Sequence, residues 1–406
     1  MRHGATGQGS NSAQVRQHNE RLILTLLRRL GEASKADLAR HARLTSNTAG
    51  QIVRGLEEQR LVQALGKRSG ARGQPATILR LDPAGAHSIG FKLGRRSLDA
   101  LLVDFAGRVL ERRRLEQALP MPEAAVAFAS RSVAELRRLA NGPAGGRIAG
   151  LGVAMPYSPG SWRREPDIPA EACRRWNGFD LGAALARATG LEVRCENDGT
   201  AAAVAELFQG RDRAPDDFLY VFVGAALGGG VVLGGDYHRG VHANAGDLGL
   251  MPTGPSLLGT APRPSGRPEI ALTRASVDAL LRHLRGAGVA VEGGGEGGAQ
   301  LDALAARGHP AVEEWLEDAA DALVLPLLSA VRVLDMAAVV VDGSLPGPLL
   351  DRLLARLGRA LARASPESRP PPRLVRGTVG REAPAIGAAI LPLHLNFSPG
   401  RDLLPA

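Results

Sequence analysis

A chain of 406 residues, 44% of them apolar, exceeds what one ordinary core holds and suits two or three domains. No apolar run approaches the roughly 18 residues a membrane span needs. Its two cysteines, Cys173 and Cys195, exclude a disulfide framework and a four-cysteine zinc site, so a cytoplasmic protein is expected. Residues 1–80 hold 14 Lys/Arg and 5 Asp/Glu, a net of +9, which is also the net charge of the whole chain. The remaining residues carry 36 of each sign and cancel. Basic charge confined to one end predicts contact with a phosphate backbone.

Residues 1–13, polar and Gly-rich, read as a flexible arm. Over 14–30, Val15, Leu22, Leu26, Leu27 and Leu30 recur at helical spacing, and Gly31 stops the helix. Ser34 opens a second helix, SKADLARHA, with Asp37 as its capping-box partner. Thr45 caps a third, TSNTAGQIVRGLEEQRLV. Leu38, Ala39, Leu44, Ile52, Val53 and Leu56 are spaced to form the core of these helices. Residues 62–65 and 76–81 are β-prone and flank the basic, turn-rich GKRSGARGQP.

Three helices and a basic hairpin are the layout of a winged helix-turn-helix, here over 14–82. The residues placed to reach base edges in a major groove are Ser46, Asn47, Thr48 and Gln51, with Arg54 one turn further along. Asn and Gln can each make two hydrogen bonds to adenine. Lys67, Arg68, Arg72 and Gln74 of the wing would lie on the backbone or enter the minor groove. A helical interaction module with a solvated basic face is the competing reading; the charge asymmetry and the basic wing favour double-stranded DNA. Two features depart from the motif. Arg43 stands in the turn where Gly usually supplies a positive φ. Gly50 and Gly55 weaken the third helix by about 1 kcal/mol each relative to Ala.

After Pro83 strands and helices alternate. Strands are predicted at 88–93, 98–104, 148–155, 191–195, 218–223, 230–233 and 337–341. Helices are predicted at 122–139, 181–189, 200–208, 312–334 and 349–364, with loops at 254–268, 286–298 and 365–372. The order implies an α/β body.

Six segments carry a resemblance: GLGVAMP (150–156), CENDGTAAAVAE (195–206), VGAALGGGVVLGG (223–235), RGVHANAGDLGLMP (239–252), VVVDGSLPGPLLDRL (339–353) and AIGAAILPL (385–393). The body resembles the ROK family (repressors, open reading frames and sugar kinases), and the whole chain resembles its repressor branch. The resemblance implies an actin/hexokinase-like, ribonuclease H-like body of two lobes around a cleft. Lobe 1 would span 83–197, completed by a C-terminal helix at 382–396, and lobe 2 would span 198–381.

In the family's kinases an Asp-x-Gly-Gly-Thr loop holds metal and phosphates. The matching stretch here is GFKLGRR (90–96), with Lys92 for the Asp and Arg96 for the Thr. A lysine cannot coordinate Mg²⁺, and the arginine fills space meant for phosphate. The second phosphate loop reads GAALGGG (224–230) and lacks its hydroxyl. No kinase activity and no cofactor are therefore expected. Asp198 matches the family's catalytic base, beside Asn197; both would contact a sugar, and either could also cap the following helix. The family's Ala-Gly-Glu-x-Gly-His segment reads AGDLGL (245–250), where Asp247 keeps the charge and Leu250 cannot ligate a metal. In place of a zinc loop stands SLLGTAPRPSGRPE (256–269), without Cys or His. No metal site is expected, and the loop should be loosened.

Trp176, Asn177 and Asp180 match positions near the family's sugar, although a tryptophan more often packs than binds. His238 and His242 read as surface residues. The expected ligand contacts are Asn177, Asn197, Asp198 and Asp247. The reading is a ligand-gated transcription regulator, a homodimer or homotetramer on a double-stranded operator, with a sugar or sugar derivative as effector. Its rivals are an ATP-dependent sugar kinase, which Lys92 and Arg96 oppose, and a DNA-binding dimer without a ligand.

Overall fold

The computed structural model describes residues 12–68, 76–140, 147–161, 168–210, 215–291 and 298–399. The basic segment forms a head of six elements: α1 (Ser12–Leu30), β1 (Ala33–Ser34), α2 (Lys35–His41), α3 (Ser46–Glu58), β2 (Val62–Arg68) and β3 (Ala76–Leu81). Local chemistry sets each helix start. Ser34 Oγ accepts from the Asp37 N–H at 3.1 Å while Asp37 Oδ2 accepts from the Ser34 N–H at 3.2 Å, closing the expected capping box. Thr45 Oγ1 accepts from the Thr48 N–H at 3.2 Å and begins α3. Arg43, in the turn between α2 and α3, has a φ of +54°. The turn does demand a left-handed residue, and an arginine supplies it. The three strands form an antiparallel sheet in the order β1-β3-β2; β1, two residues long, has no counterpart in the sequence reading.

Of the α1 residues that recur at helical spacing, Leu27 is buried whereas Val15 and Leu30 are 40% and 43% exposed, and Ile23 and Leu24 are buried beside Leu27. Residues 22–27 are apolar all round the helix except at Thr25, so spacing alone could not choose the face.

The remaining chain forms the trunk. It runs β4 (His87–Leu93), β5 (Ser97–Asp104), β6 (Val109–Glu116), α4 (Pro122–Ala140), β7 (Ile148–Met155), α5 (Ala170–Trp176), α6 (Leu181–Thr189), β8 (Val193–Asn197) and α7 (Asp198–Gln209). It continues β9 (Phe218–Val223), β10 (Leu227–Leu233), β11 (Asp236–His238), β12 (Pro252–Thr253), β13 (Glu269–Ile270), α8 (Val277–Gly286) and α9 (Gly298–Ala306). Last come α10 (Pro310–Leu334), β14 (Ala338–Gly343), α11 (Gly347–Ala364), β15 (Arg373–Arg376) and α12 (Ala383–Phe397).

Two five-stranded sheets repeat one pattern: β6-β5-β4-β7-β8 and β11-β10-β9-β14-β15. In each, the first three strands are antiparallel and the last two join in parallel. The duplicated mixed sheet is the actin/hexokinase-like architecture. The outer strand β6, VLERRRLE, was not predicted, because its charged side chains leave no buried stripe to read.

Helices α7 and α12 lie against each other between the sheets, with α12 on β4 and β7 and α7 on β10. Glycines make this approach possible. A Cβ on Gly387 would fall 1.7 Å from the Ala201 carbonyl oxygen, and one on Gly152 would fall 1.8 Å from that of Ala388. The head is not a separate bead. Ile23, Leu24, Leu27, Leu79 and Leu81 share one hydrophobic core with Phe105, Val204, Phe208, Ile390 and Phe397 of the trunk. Among the described residues no helix is long and apolar enough to cross a membrane.

Arg43→Gly should raise the unfolding free energy by about 0.5–1 kcal/mol, since the strain relieved exceeds the added chain entropy. Urea denaturation of the two chains measures this; a loss of stability would show that the turn is not strained.

Candidate ligand cleft and nucleic-acid interface

The C-terminal ends of β4, β7 and β8 and the β9–β10 turn open onto a cleft of about 630 Å³. Its size suits a small-molecule site. Asn197, Asp198 and Asp247 all line it. Asp198 is the first residue of α7, and the Gly199 N–H donates to Asn197 Oδ1 and to Asp198 Oδ1, both at 2.8 Å. Capping and cleft placement therefore coincide. Burial pushes the Asp198 carboxyl above the ordinary carboxylate range, against the charges of Lys92 and Arg95 and the Gly199 N–H. Asp247 accepts from Asn244 Nδ2 at 2.8 Å.

The neighbours taken from the resemblance lie elsewhere. Asn177 is not in the cleft lining; it ends α5 and sits against Gly160, whose Cβ would fall 2.0 Å from Asn177 Oδ1. Trp176 is 3% exposed and donates Nε1 to the Pro120 carbonyl at 2.7 Å, a packing role. Asp180 Oδ1 accepts from the Ala183 N–H at 2.8 Å and caps α6. His238 and His242 are exposed.

Lys92 lines the cleft where a metal-binding carboxylate would be required, and its positive charge acts on Asp198 and Glu382. Beside it, Arg95 Nη1 reaches across the cleft to Asp278 Oδ2 of α8 at 2.9 Å. This residue set does not fit Mg²⁺ with a nucleotide. The cross-cleft pair was invisible to sequence reading because its partners are 183 residues apart.

The residues do not fit zinc either. Leu250 is 59% exposed where a histidine ligand would stand, and among the described residues no group of three His, Cys, Asp or Glu gathers. The first residues of the following loop, where loosening is expected, carry a buried hydrogen-bond network. Arg274, 2% exposed, donates Nη2 to Asp318 Oδ1 at 2.7 Å, Nε to Asp318 Oδ2 at 3.1 Å and Nη1 to the Gly254 carbonyl at 2.7 Å. Ser256 Oγ donates to the same Asp318 at 2.7 Å, and Trp315 Nε1 donates to the Arg274 carbonyl at 2.9 Å. A buried ion pair thus ties residues 254–256 to α10. Removing one partner of such a pair typically costs about 3–5 kcal/mol.

In the head, α3 turns Ala49, Ile52, Val53 and Leu56 inward and leaves Ser46, Asn47, Gln51 and Arg54 exposed. Thr48 is partly buried, and its Oγ1 lies 2.8 Å from Thr45 Oγ1, so its hydroxyl belongs to the cap. Lys67 and Arg68 end β2, in register with Thr77 and Ala76 of β3. Arg72 and Gln74 lie outside the described residues.

Asp198→Asn should raise the Tm of the ligand-free chain at neutral pH, because the native state raises this carboxyl and so disfavours its charge. The advantage should close as pH falls through the raised native value toward the ordinary one, where both states are protonated. An unchanged Tm across that range would contradict the placement.

A sequence profile of the ROK family matches residues 88–394. The chain is 28% identical over 394 residues to the uncharacterised protein y4fQ of Sinorhizobium fredii, covering 94% of this chain and 92% of that one. It is 26% identical over 260 residues to the DNA-binding transcriptional repressor Mlc of Escherichia coli, covering 60% of this chain and 59% of Mlc. Among solved structures, a ROK family transcriptional regulator homologous to Mlc superposes with a TM-score of 0.66 at 20% identity, covering 95% of this chain and 98% of its own. The ROK hexokinase of Thermus thermophilus superposes with a TM-score of 0.55 at 27% identity, covering 75% and 97%. With its duplicated sheets, its cleft and a profile match over most of its length, the chain belongs to the ROK family.

Proposed function

We propose that this chain is a DNA-binding transcription regulator, a repressor of carbohydrate genes. Its head (14–82) is a winged helix-turn-helix, and its trunk senses a sugar or sugar derivative without phosphorylating it. The exposed row Ser46, Asn47, Gln51 and Arg54 on a capped, half-buried α3 carries the reading. The concentration of the chain's whole net charge of +9 in residues 1–80 supports it. So do relatives that are regulators: Mlc is a repressor, and NagC of Escherichia coli is a dual regulator.

In this reading the trunk has one lobe at 83–197 with 382–396 and the other at 198–381. The cytoplasmic protein works as a homodimer or homotetramer, placing heads on the half-sites of a double-stranded operator. Asn197, Asp198 and Asp247 meet the sugar. The sugar controls the heads only in proportion to its differential affinity for two trunk arrangements. Lys92 and the lost hydroxyl of the 224–230 turn oppose phosphoryl transfer, so Asp198 positions a ligand rather than abstracting its proton.

Sequencing the duplex fragments that the purified full chain retains should give an inverted repeat. Asn47→Ala and Gln51→Ala should each relax one base position by about 1–3 kcal/mol, whereas Lys67→Ala should weaken all sequences alike. Retained fragments with no shared sequence would sink the operator reading. Calorimetric titration with a sugar panel tests the sensor, and silence throughout would leave a DNA-binding dimer without a ligand. ATP turnover with any hexose would establish the kinase instead.

A further inference from the structure

A second cavity, of about 490 Å³, lies where the head meets the trunk. Arg28 and Arg29 of α1, Gly107 and Arg108 of the β5–β6 turn, and Phe208 and Gly210 at the end of α7 are on its walls. The cleft and the base-reading face of α3 do not account for it.

Arg28 is the anomaly. Its guanidinium carbon sits 3.8 Å from the Phe208 ring centroid and 5.8 Å from that of Phe105. Its Nε and Nη2 are buried and find no acceptor among the described residues. Burial pushes its pKa down to about 9, which still leaves it charged at neutral pH, and among the described residues no carboxylate opposes that shift. A cation–π contact offsets only part of the cost of withdrawing such a charge from water. Arg29 is neutralised by Asp216 at 2.6 Å, whereas Arg108 is exposed at the cavity wall. One carboxylate also faces the cavity, Glu206. Its oxygens are engaged by Thr378, whose N–H donates at 2.9 Å, and burial raises it toward the neutral form.

We propose that this cavity binds a small oxyanion, a carboxylate or phosphate group, which supplies the counter-charge that Arg28 does not find among the described residues. A guanidinium is suited to either group. The occupant would touch α1 of the head and the last turn of α7 of the trunk together, so it favours the docked head. Any effect on DNA affinity rests on the regulator reading; anion binding itself does not.

The full chain is titrated with inorganic phosphate and with citrate at constant ionic strength, with chloride as the control, by calorimetry and by thermal shift. One of the two should bind with one equivalent per chain and raise Tm by about 2 °C or more at saturation. Arg28→Gln should weaken it at least tenfold, and Arg108→Gln, at an exposed site that does not threaten folding, severalfold. The idea fails if neither anion exceeds chloride, or if Arg108→Gln and a folded Arg28→Gln bind as the parent does. A parallel arm measures binding to a mixed-sequence duplex. If Arg28→Gln weakens only that, the guanidinium serves a DNA phosphate and the small-anion site is overturned.

Discussion

The close contact between α7 and α12 constrains every other part of the molecule. Gly387 lets α12 approach the backbone of α7 at Ala201, and Gly152 lets β7 approach α12 at Ala388. The two helices thereby pack closely between the two sheets. Helix α7 begins in the cleft at Asp198 and carries Phe208 in its last turn, beneath Arg28 of the head. At 12 residues it is about 18 Å long. Whatever fixes or tilts this helix at one end is felt at the other, because closely packed interiors transmit strain. Ile23, Leu24 and Leu27 share one core with Phe105 and Phe397, so the head packs directly on the trunk.

The cleft beside these helices has its own charge pattern. Lys92 places positive charge where phosphates need a metal, and the Arg95–Asp278 pair spans the opening. Leu250 is exposed on the cleft lining, and the buried Arg274–Asp318 pair holds residues 254–256 to α10. Asn197, Asp198 and Asp247 nonetheless remain on the cleft wall. A half-buried carboxyl whose ionisation burial disfavours is a cost to the ligand-free protein.

Much of this was legible in the chain, for local reasons. Ser34 with Asp37 and Thr45 with Thr48 are short-range hydrogen-bond patterns, so the starts of α2 and α3 could be read directly. Arg43 was recognisable as the residue in a glycine's place, and its φ is positive. The buried strands β7, β9 and β14 announce themselves as apolar runs. What escaped depends on distant partners or on exposure. Strand β6 is charged because it is an edge, and β1 is too short to show a pattern. The face of α1 is chosen by a trunk that sequence spacing does not contain. Asn177 follows α5 and packs against Gly160, and it is not among the residues lining the cleft. The Arg274 brace joins residues 44 apart, and Arg28 meets Phe208 only once the trunk is folded.

The central claim is that the basic head grips duplex phosphates while the trunk holds it in place. Measuring the affinity of the full chain for mixed-sequence duplex DNA as a function of salt tests this most directly. The expected result is a linear fall of log affinity with log salt, on the order of a hundredfold between about 50 and 200 mM. Absence of binding, or an affinity indifferent to salt, would contradict it.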